Sequence, residues 1–285
     1  MILIIFCSFA AVSRVCAAAP QEASIGEVFA GEELQYDIGF WIFSGIAEGR
    51  LVLKDEGDGR YVATLSAKSN GVLDTILKHR RDRYTATLRL SDDGRRFLTE
   101  SFEKELTMDG KGTRRSLHKV DYSSRTVSMR SWGGGKPEKT SVDKIPAGVY
   151  TDDPLAAFYN FRYGVYGGIA EGRDYRIMTF PKEDKIPEIF IRIAPEKEFK
   201  RRNWKGVPSD LLADARIDKD LFGSSSGDIE IFFTKGMLPV QAIAKDLVMF
   251  GDVKGKLREV IPASGAKKTA KPLAITSGLS TSANP

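Results

Sequence analysis

Residues 97–122 read FLTESFEKELTMDGKGTRRSLHKVDY, and the reading of this stretch decides the fold. Two strand-length arms, 97–108 and 113–122, flank Asp109-Gly110-Lys111-Gly112. Asp and Gly supply the tight backbone of a hairpin turn. Four residues are too few for the crossover helix that a parallel pair would need, so the arms run antiparallel.

The same rhythm continues on both sides. Upstream, Leu34, Tyr36, Ile38 and Phe40 recur at alternate positions. So do Ala47, Gly49, Leu51 and Leu53, then Tyr61, Ala63, Leu65 and Ala67, then Tyr84, Ala86, Leu88 and Leu90. Period-two patterning of this kind marks half-buried strands. Downstream, 126–132 and 138–145 form another hairpin about Gly133-Gly134-Gly135. Segments 175–180, 188–193, 228–234, 240–247 and 252–260 also read as strands. The pattern predicts an all-β, antiparallel meander.

Two segments break the rhythm. Residues 71–78 place apolar side chains as one or two helical turns would. Residues 151–163 begin Thr151-Asp152-Asp153-Pro154, with Leu155, Phe158, Tyr159 and Arg162 at helical spacing. An Asp before a Pro at the first helical position is a helix start, so one central helix is expected near 152–163. The segment 197–227 is long and charged, and its 209–215 portion reads as a short helix or an excursion from the sheet. The tail, 262–285, has too little apolar content to pack and is expected to be disordered. No linker divides the chain, so a single domain is expected over 25–261.

The hexapeptide GIAEGR occurs at 45–50 and again at 168–173. The flanks and the downstream residues differ, so the match reads as two local solutions for leading into a strand rather than a duplication. In the first copy, Gly45-Ile46 reads as a turn.

The N-terminus carries an apolar run, 2–12, followed by small residues that suit signal cleavage at about 17–19. A signal peptide over 1–19 predicts export to the periplasm and no transmembrane segment in the mature chain. Both cysteines, Cys7 and Cys16, fall in this leader, so the mature chain has no disulfide, thiolate nucleophile or Cys-based metal site. The 285 residues are 42% hydrophobic with a mean hydropathy of -0.24, which argues against a multispan membrane protein. Net charge is +5. The basic residues cluster as Lys78-His79-Arg80-Arg81-Asp82-Arg83, Arg114-Arg115, and Lys200-Arg201-Arg202 with Lys205. Such clusters suit anionic head groups or polysaccharide, and an exported protein rarely meets nucleic acid.

Catalytic signatures are missing. The two histidines, His79 and His118, have no Gly-x-Ser-x-Gly elbow beside them. Two isolated histidines do not make a zinc site, and Gly133-Gly134-Gly135-Lys136-Pro137 does not open a phosphate-binding helix. No cofactor, metal or catalytic residue is expected. Aromatic residues are dense at Phe40-Trp41-Ile42-Phe43 and at Phe158-Tyr159. A hydrophobic ligand would be held by Trp41, Phe43, Phe158 and Tyr159, with Arg80, Arg81 and Arg83 meeting an anionic head group.

Several stretches together resemble a family of bacterial envelope proteins, domain of unknown function 3108. They are 31–38 (GEELQYDI), 43–49 (FSGIAEG), 59–61 with 67–71, and 82–84. Further along they are 152–159 (DDPLAAFY), 229–233 (IEIFF), 238–240 (LPV) and 251–253 (GDV). Where that family is expected to carry an acidic turn, this chain has Thr234-Lys235-Gly236-Met237, and its 197–227 segment is longer. The resemblance implies an exported antiparallel protein whose sheet curves as a half-barrel or open barrel around a helix. It supplies no catalytic residue. The expected function is a non-enzymatic periplasmic protein that supports the envelope by binding a lipid, acyl chain or other envelope component. The alternatives are a scaffold for an envelope protein partner or a polysaccharide or peptidoglycan hydrolase.

Overall fold

The computed structural model describes residues 23–40, 43–70, 74–75, 78–182, 187–219, 224–247 and 251–264. Helix α1 (Ile25–Phe29) is followed by β1 (Glu33–Phe40), β2 (Phe43–Gly57), β3 (Arg60–Ser69), β4 (Arg81–Leu90) and β5 (Phe97–Met108). Then come β6 (Gly112–Asp121), β7 (Thr126–Gly133), β8 (Lys139–Lys144), helix α2 (Pro154–Tyr163), β9 (Asp174–Met178) and β10 (Glu188–Ile193). Helix α3 (Glu196–Arg202), β11 (Leu211–Arg216), β12 (Asp228–Phe233), β13 (Pro239–Leu247) and β14 (Gly251–Ile261) complete the chain.

The strands form one antiparallel, unclosed sheet in the order β8-β7-β6-β5-β4-β3-β2-β1-β14-β13-β12-β11-β10-β9. The chain starts in the middle at β1 and meanders out to β8. It crosses through α2 to the opposite edge at β9 and meanders back until β14 pairs with β1. Each hairpin is local, and only the β1–β14 joint and the α2 crossover are not.

Helix α2 shows how far the sheet curls. Its Tyr159 ring lies 6.3 Å from Phe97 of β5, and its Phe161 ring lies 6.3 Å from Phe233 of β12. Those strands are seven steps apart, roughly 34 Å in a flat sheet at the usual strand spacing. One helix about 10–12 Å across cannot touch both unless the sheet wraps around it. The curl goes further at the edges. Phe180, just past β9, stacks on the His118 ring of β6 at 4.6 Å and sits 6.2 Å from Phe102 of β5. The Tyr122 hydroxyl donates to Thr151 O at 3.1 Å and Asp152 N donates to Met178 O at 2.9 Å. Side chains and the start of α2 thus bridge a seam that no strand ladder closes among the described residues. Burial within that seam pushes the His118 pKa down to about 4, so the stacked ring is neutral near pH 7.

The sequence of α2 suits this position. Asp153 caps it by accepting from Leu155 N at 2.8 Å and Ala156 N at 3.2 Å, and Pro154 opens the first turn. Gly164, at φ 89°, closes it in the left-handed region. Leu155, Ala156 and Tyr159 face the cluster built on β2–β5, while Ala157 and Phe161 face the cluster built on β9–β12. A helix apolar on both sides is a buried one. Asn160 and Arg162 are engaged by hydrogen bonds, whereas the buried Tyr159 hydroxyl has no partner among the described residues. Asn160 donates to Phe97 O and accepts from Phe97 N, both at 2.9 Å. It acts as a surrogate strand where the β6 ladder has already stopped at Ser101. Thr99 Oγ1 donates to Asp153 Oδ2 at 2.7 Å and accepts from Asp153 N at 3.0 Å. Burial pushes the Asp153 carboxyl up to about 7, against those donors, which pull it down.

Arg162 ties the halves together. Its guanidinium makes a bidentate pair with Glu32 at 2.6 and 2.8 Å, donates to Met237 O at 2.8 Å, and lies 4.5 Å from the Phe29 ring. Glu32 stands at the α1–β1 junction and Met237 in the β12–β13 turn. The Arg162 side chain is 2% exposed.

The architecture matches the all-β, curved, open-barrel expectation with its central helix. Four local readings are corrected. Residues 211–216 form strand β11, not a helix. Two further helices, α1 and α3, were not expected. Gly45-Ile46 is not a turn but lies inside β2, where Gly45 (φ 68°) occupies a register shift opposite β1. The reading of 71–78 falls mostly outside the described residues, as does the tail beyond 264.

Removing one member of a buried ion pair leaves an uncompensated charge and costs about 3–5 kcal/mol. Arg162→Ala and Glu32→Ala should each lose that much in denaturant unfolding. The Arg162→Met, Glu32→Leu double variant should lose less than either. Additive losses would show that the pair does not act as a unit.

Candidate functional site: a cation-lined groove

On the β9–β14 half, α2 covers the concave face and α3 covers part of the convex face. In antiparallel ladders, directly opposed residues share a face. Gln241 opposes Lys256 and Phe232, and Ile243 opposes Lys254 and Glu230. These six side chains, with Lys245, therefore stand together on the convex face.

Helix α3 carries Glu196 and Glu198 in its first turn and Lys200, Arg201 and Arg202 in its last, each sign favoured by the helix dipole. Phe199 and, beyond the helix, Val207 pack onto Leu212 and Phe232. The loop that follows is pinned. Asn203 Nδ2 donates to Val207 O at 2.9 Å, and Val207 N donates back to Asn203 Oδ1 at 2.7 Å. This closed turn holds Trp204 out in solvent at 76% exposure, with the Lys205 ammonium 4.8 Å from its ring.

Between this loop and β14 runs a groove of about 710 Å³. That volume is within the range of small-molecule sites. Phe232, Val240 and Ile243 line it, together with Arg201, Arg202, Lys205, Lys245, Lys254 and Lys256 against a single carboxylate, Glu230. Two of the cations are already neutralised. Arg202 pairs with Asp214 at 2.5 Å and Glu230 at 2.7 Å, and Lys245 pairs with Glu230 at 3.1 Å and Asp252 at 2.9 Å. Among the described residues, no carboxylate lies within ion-pairing distance of Arg201, Lys205, Lys254 or Lys256. Burial, then the charges of Lys205, Lys256 and Lys245, holds the Lys254 ammonium below the usual lysine range. An apolar floor beside unpaired cations can take an anion with an attached apolar body.

The residues expected from sequence to hold a ligand are placed elsewhere. Trp41 lies outside the described residues, and the side chain of Phe43 is not described. Tyr159 is fully buried against Phe29 and Phe97, and Phe158 packs beside it under Arg162. Arg80 pairs with Asp82 at 2.8 Å and Arg81 with Asp74 at 2.8 Å, while Arg83 is exposed. Phe158 and Tyr159 thus come together in the core, and Arg80 and Arg81 have carboxylates of their own. The groove left two marks in the sequence: the cluster around Arg201, and Lys254 and Lys256 at alternate positions of one strand. Their convergence depends on pairings that local sequence does not carry.

Among the described residues no group of three His, Cys, Asp or Glu could hold a metal ion, and no helix is long and apolar enough to cross a membrane. The fold is that of an all-β protein with one curled, unclosed antiparallel sheet. Among solved structures, the chain is similar to the crystal structure of a beta-barrel-like protein of domain of unknown function DUF1849 from Brucella abortus. The two share 14% sequence identity at a TM-score of 0.45, over 83% of this chain and 99% of that chain. No family model matches the chain, and no curated protein matches it.

A cation held among cations destabilises the fold. Lys254→Met should therefore raise the thermal unfolding midpoint, and the gain should shrink with added salt as screening takes over. A midpoint lowered at low salt would mean that Lys254 has a stabilising partner.

Proposed function

We propose that the protein is a non-enzymatic periplasmic component that supports the bacterial cell envelope and holds an anionic amphiphile in the convex groove. Export by a leader over 1–19 and the likeness to the envelope family of domain of unknown function 3108 belong to the same reading. The observation that carries it is Lys254, partly buried beside Lys205, Lys245 and Lys256, with no carboxylate in ion-pairing distance among the described residues. Proteins seldom leave such a cation uncompensated, because its desolvation is offset only by an opposite charge. A phosphate or carboxylate head between Lys254, Lys256 and Lys205 supplies that charge, and the apolar body lies along Phe232, Val240 and Ile243.

The absence of catalysis is part of the proposal. His118 is stacked, neutral and half-buried, and His79 Nδ1 sits 2.5 Å from the Asp109 carboxylate rather than beside a serine nucleophile.

Titration of the purified chain with dodecyl phosphate tests the reading. Saturable binding is expected, and Lys254→Glu with Lys256→Glu should weaken it about tenfold or more, the scale of losing charge-assisted hydrogen bonds. Unsaturable binding, or affinity unmoved by the double reversal, would refute it. Lipid extraction and mass spectrometry of protein taken from its own periplasm should return an acidic lipid or acyl anion.

A further inference from the structure

The groove explains the lysines but not Trp204. A tryptophan 76% exposed on a turn pinned by Asn203 and Val207 gives up apolar burial that the protein could have had. Near it in sequence, Lys205 and Arg201 stand on the rim of the groove. Trp is the side chain best suited to the boundary between water and lipid, where the ring sits among head groups and its N–H stays hydrated. Basic residues next to such a ring are drawn to an anionic leaflet within a Debye length.

We infer that the loop from Asn203 to Pro208 docks the mouth of the groove on an anionic bilayer surface, with Trp204 entering the head-group layer. The inference rests on the groove reading but names what that reading leaves open, the place where the amphiphile is met. Docking sets the groove mouth against the leaflet, so a lipid reaches Lys254 and Lys256 without its apolar part crossing water. The pinned turn matters because a loop already rigid gives up little conformational entropy when Trp204 inserts. A single ring and a few charges make weak, reversible attachment, which suits a carrier that must leave the surface again.

The test uses the full chain with Trp41→Phe and Trp132→Phe, which leaves Trp204 as the only indole, and four additions. These are inorganic phosphate, dodecyl phosphate, vesicles of phosphatidylcholine alone, and vesicles of phosphatidylcholine with phosphatidylglycerol. The expected result is a blue shift of Trp204 emission, with quenching by brominated acyl chains, on the anionic vesicles only. Cosedimentation of the otherwise unmodified chain with the anionic vesicles should be lost in Trp204→Ala and kept in Trp204→Tyr. It should fall about fivefold for Lys205→Ala.

Several outcomes would overturn the docking surface. One is equal binding to both vesicle types. Another is a Trp204→Ala variant that sediments as the parent does. A third is a Trp204 shift produced fully by dodecyl phosphate and not at all by vesicles, which leaves the groove as a site for free amphiphile alone. Vesicle docking without dodecyl phosphate binding would instead refute the groove reading and leave docking standing.

Discussion

Everything in this fold depends on one constraint: a single buried helix must satisfy both halves of an open sheet. α2 presents Tyr159 to one half and Phe161 to the other, and its polar residues reach backbone that the ladders leave free. Arg162 adds a bidentate ion pair to Glu32 and a bond to Met237 O from opposite sides of the β1–β14 joint. An ion pair this deep is worth little against an apolar isostere but about 3–5 kcal/mol against a broken pair. Set beside a total stability of about 5–15 kcal/mol, that penalty is enough to fix which packing of helix on sheet is allowed. The helix also solves a topological problem, since it carries the chain from β8 to β9, the two strands farthest apart in the sheet.

The residues that hold the fold and those proposed to bind are on opposite faces. The concave face is spent on packing: Tyr159, Phe97, Ile177 and Phe233 are each at most 1% exposed. On the convex face, α3 covers Leu212 and Phe232 and stops, and the strip from its last turn to β14 is left to lysines. Charges there can change with small cost to the core, and Lys254 stands where its desolvation and the neighbouring lysine charges outweigh the attraction of Glu230.

The local half of the structure was legible because alternation and turn chemistry are local. The hairpin at 97–122 appears as β5 and β6 within a residue of its expected limits, and Asp153-Pro154 starts α2 as read. What failed, failed for physical reasons. Leu211-Leu212-Ala213-Asp214-Ala215 has helix-forming residues, but β10 and β12 flank it and pairing on both edges overrides propensity. α1 is five residues long, and its capping box, Ser24 with Glu27, is the one signal it offers. α3 begins after Pro195 without a side-chain cap. Gly45 has the positive φ of a turn residue but uses it to let β2 take extra residues opposite β1. The groove joins Arg201 and Lys205 to Lys254 and Lys256 through pairings of β12, β13 and β14, and only part of its charge was visible as a local cluster. Phe158 and Tyr159 were legible as important. Apolar content alone could not separate a residue that lines a cavity from one that fills the core.

The central claim is that the two halves of the sheet, joined by the β1–β14 ladder, also depend on α2 for their stability. Native-state hydrogen exchange on an Asn160→Ala variant tests this most directly, because it removes both bonds between the helix and Phe97 of β5 and leaves the β9–β12 ladders intact. The account predicts that amides in β3–β5 and in β9–β12 lose protection together and by similar factors. Loss confined to β5 and its neighbours, with β9–β12 exchanging as before, would contradict it.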